Sequence, residues 1–158
     1  MLNDLKKELK KVSSLERKKK NEYFFKTGKG EYSDGDIFIG ARVPDLRKIA
    51  KQFSGLDFEN LEILIQSKIH EERLLVILIL VQNSREIQKG KKRLKIAKQF
   101  SALEKEQKKI LKFYLKNRQF VNNWDLVDVS AHYILGQAIL DGLEKKEILY
   151  TYVKSKNL

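Results

Sequence analysis

The heptapeptide KIAKQFS at residues 48–54 recurs without a single change at residues 95–101. The two copies start 95 − 48 = 47 residues apart. The same offset continues past the copies and pairs apolar residues with apolar residues. These pairs are Leu56 with Leu103, Ile63 with Ile110, and Leu64 with Leu111. Seven consecutive identities with matched positions downstream indicate an internal repeat and argue against a chance likeness between two basic helices.

Most of the chain has the sequence pattern of α-helix. Apolar residues recur at helical spacing, and 158 residues contain only one proline and eight glycines, which favours long regular elements. A helical repeat of about 40–47 residues is typical of HEAT and armadillo solenoids, in which each helix pair buries its apolar face against its neighbours. The sequence therefore predicts an all-α, HEAT/armadillo-like solenoid of stacked antiparallel helix pairs, in a single domain over residues 1–158.

Capping residues and helix breakers predict where the helices begin and end. Ser14 is expected to cap a helix that runs to about residue 27 and stops at Gly28. After an irregular segment, Pro44 is expected in the first turn of the next helix. Residues 28–43 are expected to be irregular. A helix over about 58–67, capped by Asp57, and a buried helix over about 70–87 should follow, with a break at Gly90. The remaining helices are expected over about 91–100 and 103–118, from Trp124 after a cap at Asn122 or Asn123, and over about 144–155.

Positive charge is concentrated in two stretches of the chain. The sequence has 33 Lys and Arg against 21 Asp and Glu, a formal net charge of +12. Residues 1–30 carry 10 − 4 = +6 and residues 85–118 carry 13 − 3 = +10, so the remainder is net acidic at −4. Two basic stretches favour an anionic partner, most simply nucleic acid. A lysine-rich solvated surface without a partner is the alternative.

Composition and motifs exclude several other classes of protein. The absence of cysteine excludes disulfides, zinc ribbons and thiol nucleophiles. The longest apolar run, Leu74 to Val81, is far shorter than the roughly 20 residues of a membrane span. The stretch His70-Glu71-Glu72 lacks the second histidine of a metalloprotease helix, and His132 is the only other histidine. We therefore expect a cytoplasmic protein without signal peptide, metal or cofactor.

The repeat register points to the segment WDLVD, residues 124–128. It sets this segment against ILILV at residues 77–81, so a packing helix has acquired an indole and two carboxylates. Trp124 and Asp128 are four residues apart and share one helix face. An aspartate in line with a core valine is costly unless it is used or paired. The alternative is a structural one, with Asp125 favouring the helix N-terminus, Asp128 salt-bridged and Trp124 anchored in the core.

Two blocks of the sequence resemble the AlkD-type DNA glycosylases of the DNA alkylation repair family. The first is YFFKTGKGEYSDGDIFIGARVPDLRKIAK at residues 23–51, which is similar to the N-terminal signature of that family. The second is NNWDLVD at residues 122–128, which is similar to its active-site segment. The resemblance covers most of the chain, although the spacing between the blocks is longer than usual, with extra residues around 83–92.

The resemblance implies a fold and an activity. Members are all-helical, cradle duplex DNA on a basic concave surface, and hydrolyse the N-glycosidic bond of cationic N3- and N7-alkylated purines without a cofactor. Carried onto this sequence, it implies Asp128 as the catalytic carboxylate and Trp124 as a contact of the lesion. It also implies Arg42 and Arg47 as contacts of the DNA backbone and Phe24 as an aromatic near the lesion.

One departure from the family pattern concerns the C-terminal side. Members continue for several more helices, with a second tryptophan and further arginines, whereas this sequence has Trp124 alone and ends at Leu158. It is expected to be either an N-terminal fragment or a short relative, and a monomer. Two functions remain open. One is a glycosylase acting on alkylated bases in double-stranded DNA. The other is a non-catalytic scaffold that binds DNA, RNA or an acidic protein.

Overall fold

Helices make up the regular structure of the chain, which confirms the all-α prediction. The computed structural model describes residues 1–93 and 97–155, and in them the only β pairing is a single bridge between Ile37 and Ile69. The helices are α1 (Leu2–Lys11), α2 (Leu15–Phe24), α3 (Val43–Gln52), α4 (Phe58–Ile65), α5 (His70–Arg93), α6 (Ala97–Lys116), α7 (Trp124–Ala131), α8 (Gln137–Leu140) and α9 (Ile148–Val153), with a 3₁₀ turn at Arg118–Phe120 and a π-helical segment at His132–Gly136.

The predicted helix starts of the N-terminal half are confirmed. The Ser14 hydroxyl accepts a hydrogen bond from the backbone N–H of Arg17 at the start of α2. The Asp57 carboxylate accepts one from the backbone N–H of Asn60 at 2.8 Å at the start of α4. Pro44 lies in the first turn of α3, where its missing N–H costs nothing. Local capping chemistry therefore fixes these three starts.

The predicted break at Gly90 is wrong, because α5 continues through this glycine to Arg93. Gly90 instead marks a close approach of two helices. A methyl group added there would lie 2.8 Å from a terminal methyl carbon of Leu103 on α6. The glycine therefore lies inside a helix at a contact with the end of the Leu103 side chain, and it does not mark a helix end.

The prediction of two separate helices over 91–100 and 103–118 is also wrong, since one helix, α6, runs from Ala97 to Lys116. The reason lies in two substitutions between the repeats. Gly55 lies in the turn between α3 and α4, and Asp57 caps α4. At the 47-residue offset they are replaced by Ala102 and Glu104. Alanine and glutamate are good helix formers and remove the turn. Of the second heptapeptide, Lys95 and Ile96 lie outside the described residues.

Several other helix bounds differ from their predicted positions. The second helix ends at Phe24, earlier than predicted, and α9 covers Ile148–Val153 within the predicted 144–155. Asn123 takes the N-cap position of α7, but its side chain makes no capping hydrogen bond. The helix predicted from Trp124 onward changes to π geometry at His132. A π-helical turn inserts one extra residue and is often found near functional sites.

The chain divides into two compact units, Met1–Ile79 and Leu80–Leu158, with the division inside α5. In the first unit α1 packs on α3, with Leu5 and Leu46 fully buried. In the second, α6 packs on the π-helical segment and on α8. The apolar run Leu74–Val81 is buried throughout, as predicted. The single domain and the solenoid arrangement stay predictions.

Within the described residues, none of the helices combines the length and the apolar character that crossing a membrane requires. The same residues contain no cluster of three or more side chains of His, Cys, Asp or Glu that could hold a metal ion.

Candidate active site

The segment WDLVD forms the start of α7, and the two faces of this helix have opposite characters. Leu126 and Ser130, four residues apart, are both fully buried. Trp124 and Asp128, also four residues apart, lie on the exposed side. Residues at this spacing are neighbours on a helix surface. The helix therefore buries one pair and presents the indole and the carboxylate together to solvent.

The exposed pair does not have the structural role considered as the alternative. Trp124 is 45% exposed, which is too much for a core anchor. Asp128 is exposed, and in the part of the chain that the structure describes its carboxylate makes no hydrogen bond or ion pair. A carboxylate without a partner is available to an incoming ligand.

Hydrogen bonds hold α7 in place from its buried face. The Tyr114 hydroxyl of α6 lies 2.9 Å from the Ser130 hydroxyl, and the Ser130 hydroxyl donates to the carbonyl of Leu126 at 2.6 Å. Burial raises the pKa of Tyr114, although the contact with Ser130 opposes the shift. A buried phenol kept in its neutral form preserves this link at ordinary pH, so α6 fixes the orientation of α7.

Beyond Asp128, the exposed face of α7 leads to a group of stacked side chains. His132 follows Asp128 by four residues, and its ring lies 3.8 Å from the Tyr133 ring, measured between centroids. The Arg85 guanidinium carbon of α5 lies 4.0 Å from the centroid of the Tyr133 ring. Neither Arg85 nor Tyr133 was among the site residues predicted from the sequence. No sequence motif could have paired them, because they come from distant helices.

The other predicted site residues belong to the first unit. Phe24 is the last residue of α2, is well exposed, and makes an edge-to-face contact with Phe25 at 5.1 Å between centroids. Arg42 immediately precedes α3 and donates a hydrogen bond to Asp45 at 2.9 Å. Arg47 is exposed on α3, and among the described residues it has no hydrogen bond or ion pair. Two cations thus mark the start of α3.

The loop that leads to Arg42 is held by buried charges at the start of α5. The Glu71 carboxylate accepts hydrogen bonds from the backbone N–H groups of Ile39 and Gly40 at 3.0 and 2.8 Å. On the other side, the Arg17 side chain donates to the Gly40 carbonyl at 2.8 Å. Paired and hydrogen-bonded charges are tolerated in a protein interior, and here they fix the path of the loop.

A second buried pair strengthens the same region. The Arg73 guanidinium donates to the Asp36 carboxylate at 2.6 Å, and a ring nitrogen of His70 lies 3.4 Å from the same oxygen. Burial alone would raise the pKa of Asp36, but these two partners outweigh it and keep the pKa below its usual value. The four residues His70–Arg73 are all buried, at the start of the helix that the sequence predicts to be buried over about 70–87.

Some of the positive charge of the basic stretches is internal. Lys91 donates to the Asp141 carboxylate at 2.8 Å and to the Gln107 side chain at 2.5 Å, with only 8% of its side chain exposed. Partial burial would raise the pKa of Asp141, but Lys91 and the amides of Gln88, Gln107 and Gln137 lower it to about 2. This network joins α5, α6 and α8 and does not present its charge to a ligand.

Comparison with known families supplies one match. A family model described as DNA alkylation repair enzyme matches residues 5–158, nearly the whole chain. The matched range contains both α7 with its exposed pair and the loop before α3. The chain has no significant match among curated proteins or solved structures.

Proposed function

Since the chain belongs to the family described as DNA alkylation repair enzyme, we propose that it is a DNA glycosylase for cationic alkylpurines. Its substrates would be bases of the 3-methyladenine and 7-methylguanine type in duplex DNA. The observation that carries the proposal is the exposed Asp128 carboxylate, without an ion pair among the described residues, on the helix face that also carries Trp124.

Asp128 has the properties that this reaction needs. Hydrolysis of an N-glycosidic bond builds positive charge on the sugar, as in glycoside hydrolysis. A fixed carboxylate stabilises that charge where it develops and can orient the attacking water. A cationic alkylpurine is already a good leaving group, so the reaction needs neither a general acid nor a cofactor. One carboxylate at the site is therefore sufficient.

Trp124 supplies recognition of the damaged base. The face of an indole attracts a cation by about 0.5–2 kcal/mol, depending on solvent exposure. A neutral purine lacks this attraction, so the indole favours the alkylated base over the undamaged one. Because Trp124 and Asp128 share one helix face, the nucleotide that contacts the indole lies within reach of the carboxylate.

Arg42, Arg47 and Phe24 complete the proposal on the first unit. Arg47, with no partner among the described residues, is suited to a phosphate contact, and the surface ion pair of Arg42 with Asp45 is weak enough to exchange for one. Such contacts carry no sequence information. Phe24 presents an exposed ring for stacking on a base. We propose that a monomer binds DNA without sequence preference.

The decisive experiment measures release of 7-methylguanine from methylated duplex DNA. We expect release by the wild type and a rate reduced by at least about 100-fold in Asp128→Asn, the order of loss seen when one electrostatic group is removed. The matched control is Asp57→Asn, which makes the same change at an exposed cap where asparagine serves equally well.

The outcomes separate the two functions. Equal rates for the wild type and Asp128→Asn remove Asp128 from the mechanism. No release by either protein, with DNA binding retained, supports the non-catalytic scaffold instead.

A further inference from the structure

The stack of Arg85, Tyr133 and His132 extends the exposed face of α7 away from Trp124. Trp124, Asp128 and His132 follow one another at intervals of four residues, so they lie along one stripe of the helix. Tyr133 contacts His132 at 3.8 Å and Arg85 at 4.0 Å. A cation thus lies over the ring of Tyr133, the residue that follows the last residue of the stripe.

Arg85 is held in place but its hydrogen-bond donors are not used. Within residues 1–93 and 97–155, its guanidinium makes no hydrogen bond or ion pair, and it contacts the Tyr133 ring. By contrast, Arg73 donates to Asp36 and to the Ser67 carbonyl, and Arg17 donates to two backbone carbonyls. A cation–π contact does not use the N–H groups of the guanidinium as hydrogen-bond donors, so they stay available to a ligand.

We propose that Arg85, stacked on Tyr133 and flanked by His132, binds a phosphodiester group of the DNA strand whose nucleotide contacts Asp128. The inference rests on the proposed function, because it takes DNA as the ligand. A planar guanidinium matches two oxygens of a phosphate, and a ring N–H of His132 can donate to the same group. Holding the phosphate fixes the position of its nucleotide along the stripe, so Arg85 is a positioning residue.

The competing explanation is that Arg85 only packs α5 against the π-helical segment. Packing alone does not need a charge, since an apolar side chain would fill the same space without leaving half-buried donors unsatisfied.

The test is the affinity for undamaged duplex DNA between 50 and 300 mM salt. Each phosphate neutralised by a cation contributes about 0.9 to the slope of log affinity against log salt. We expect the negative slope of Arg85→Gln to be less steep than that of the wild type by about 0.9. We expect Arg85→Lys to keep the wild-type slope but to bind about 3- to 10-fold more weakly, because lysine lacks the bidentate fork of arginine. The matched control, Lys109→Met, removes an exposed charge that is already paired with Glu106 at 2.7 Å, so its slope should change far less.

A wild-type slope and affinity in folded Arg85→Gln would overturn the proposal. If that variant does not fold, the proposal would equally be overturned by an Arg85→Lys variant that binds DNA as tightly as the wild type at every salt concentration. The readout is independent of base excision. A reduced slope without any release of 7-methylguanine by the wild type would refute the proposed function alone, and release with an unchanged slope would refute the phosphate site alone.

Discussion

The Glu71 carboxylate, buried at the start of α5, accepts a hydrogen bond from the backbone N–H of Gly40 at 2.8 Å. Its second oxygen accepts from the N–H of Ile39 at 3.0 Å. A single side chain thus satisfies two consecutive N–H groups of the loop. Since the loop continues into Arg42 at the start of α3, Glu71 determines where that cation lies.

We expect Glu71→Gln to destabilise the protein by about 1–3 kcal/mol, because the amide nitrogen would face an N–H group and leave a buried donor unsatisfied. The measurement is the free energy of unfolding in urea. Glu59→Gln makes the same change at an exposed position of α4 and should cost less than about 1 kcal/mol. Equal losses in the two variants would show that Glu71 is not the support of the loop.

Replacement by alanine should have opposite effects on protein stability at Gly40 and at Gly90. Gly40 has φ +76°, and an added methyl group would lie 2.2 Å from the Ser14 carbonyl oxygen, so Gly40→Ala should cost more than about 2 kcal/mol. Gly90 is helical, and a methyl group added there would meet only the end of the flexible Leu103 side chain. Because alanine has a higher helix propensity than glycine, the Gly90→Ala variant should be as stable as the wild type or more stable by up to about 0.5 kcal/mol.

Thermal unfolding of both alanine variants by circular dichroism checks this contrast. A loss of stability in Gly90→Ala as large as that in Gly40→Ala would mean that Leu103 cannot move aside. The two-helix contact would then be as rigid as the loop.

The N-terminal helix starts could be predicted because their signals are local. The Ser14 and Asp57 side chains bond to backbone groups three residues away, which a sequence pattern records directly. The prediction of a break at Gly90 was wrong because a glycine in a helical pattern can mark either a turn or a close neighbour. Only the folded structure distinguishes these two cases. The identical heptapeptides similarly obscured the replacement of Gly55 by Ala102, which removes the turn between two predicted helices.

The candidate site was predictable only where one helix carries it. Trp124 and Asp128 share a face because of their spacing alone. Glu71 and Gly40 are 31 residues apart, and Lys91 and Asp141 are 50 apart. Such pairs depend on how distant helices pack, and a single sequence holds no periodic signal for them.

The Asp141 network makes stability depend on pH in the acid range. The pKa of Asp141 is lowered from 3.8 to about 2, which corresponds to about 2 kcal/mol of stabilisation by its partners. Because the folded pKa lies below the unfolded one, this stabilisation is complete above about pH 4 and is lost as the pH falls toward 2. The Asp141→Asn variant should therefore be less stable than the wild type at pH 6, and the difference should shrink below pH 4.

Urea unfolding of both proteins between pH 6 and pH 2 measures this difference. Asp34→Asn, which changes a carboxylate in the exposed loop of the first unit, serves as the control and should give a much smaller loss at pH 6. A difference between the wild type and Asp141→Asn that stays constant down to pH 2 would contradict the assigned role of the carboxylate charge.

Trp124 provides a test that separates recognition from packing. Because the side chain is 45% exposed, Trp124→Leu should cost less than about 1.5 kcal/mol of stability, whereas Leu126→Ala on the buried face of the same helix should cost about 2–5 kcal/mol. If the indole contacts a cationic base, Trp124→Leu should also reduce the preference for methylated over unmodified duplex DNA. The loss of a cation–π contact of about 0.5–2 kcal/mol corresponds to roughly 2- to 30-fold in affinity.

Competition binding with methylated and unmodified duplexes of one sequence measures this preference, and Trp124→Phe should retain part of it because phenylalanine keeps an aromatic face. A preference that is unchanged in Trp124→Leu, together with a stability loss as large as that of Leu126→Ala, would return Trp124 to the role of a packing residue. A lost preference with stability largely retained would instead assign the indole to the damaged base, since a packing defect cannot distinguish two duplexes that differ only in methylation.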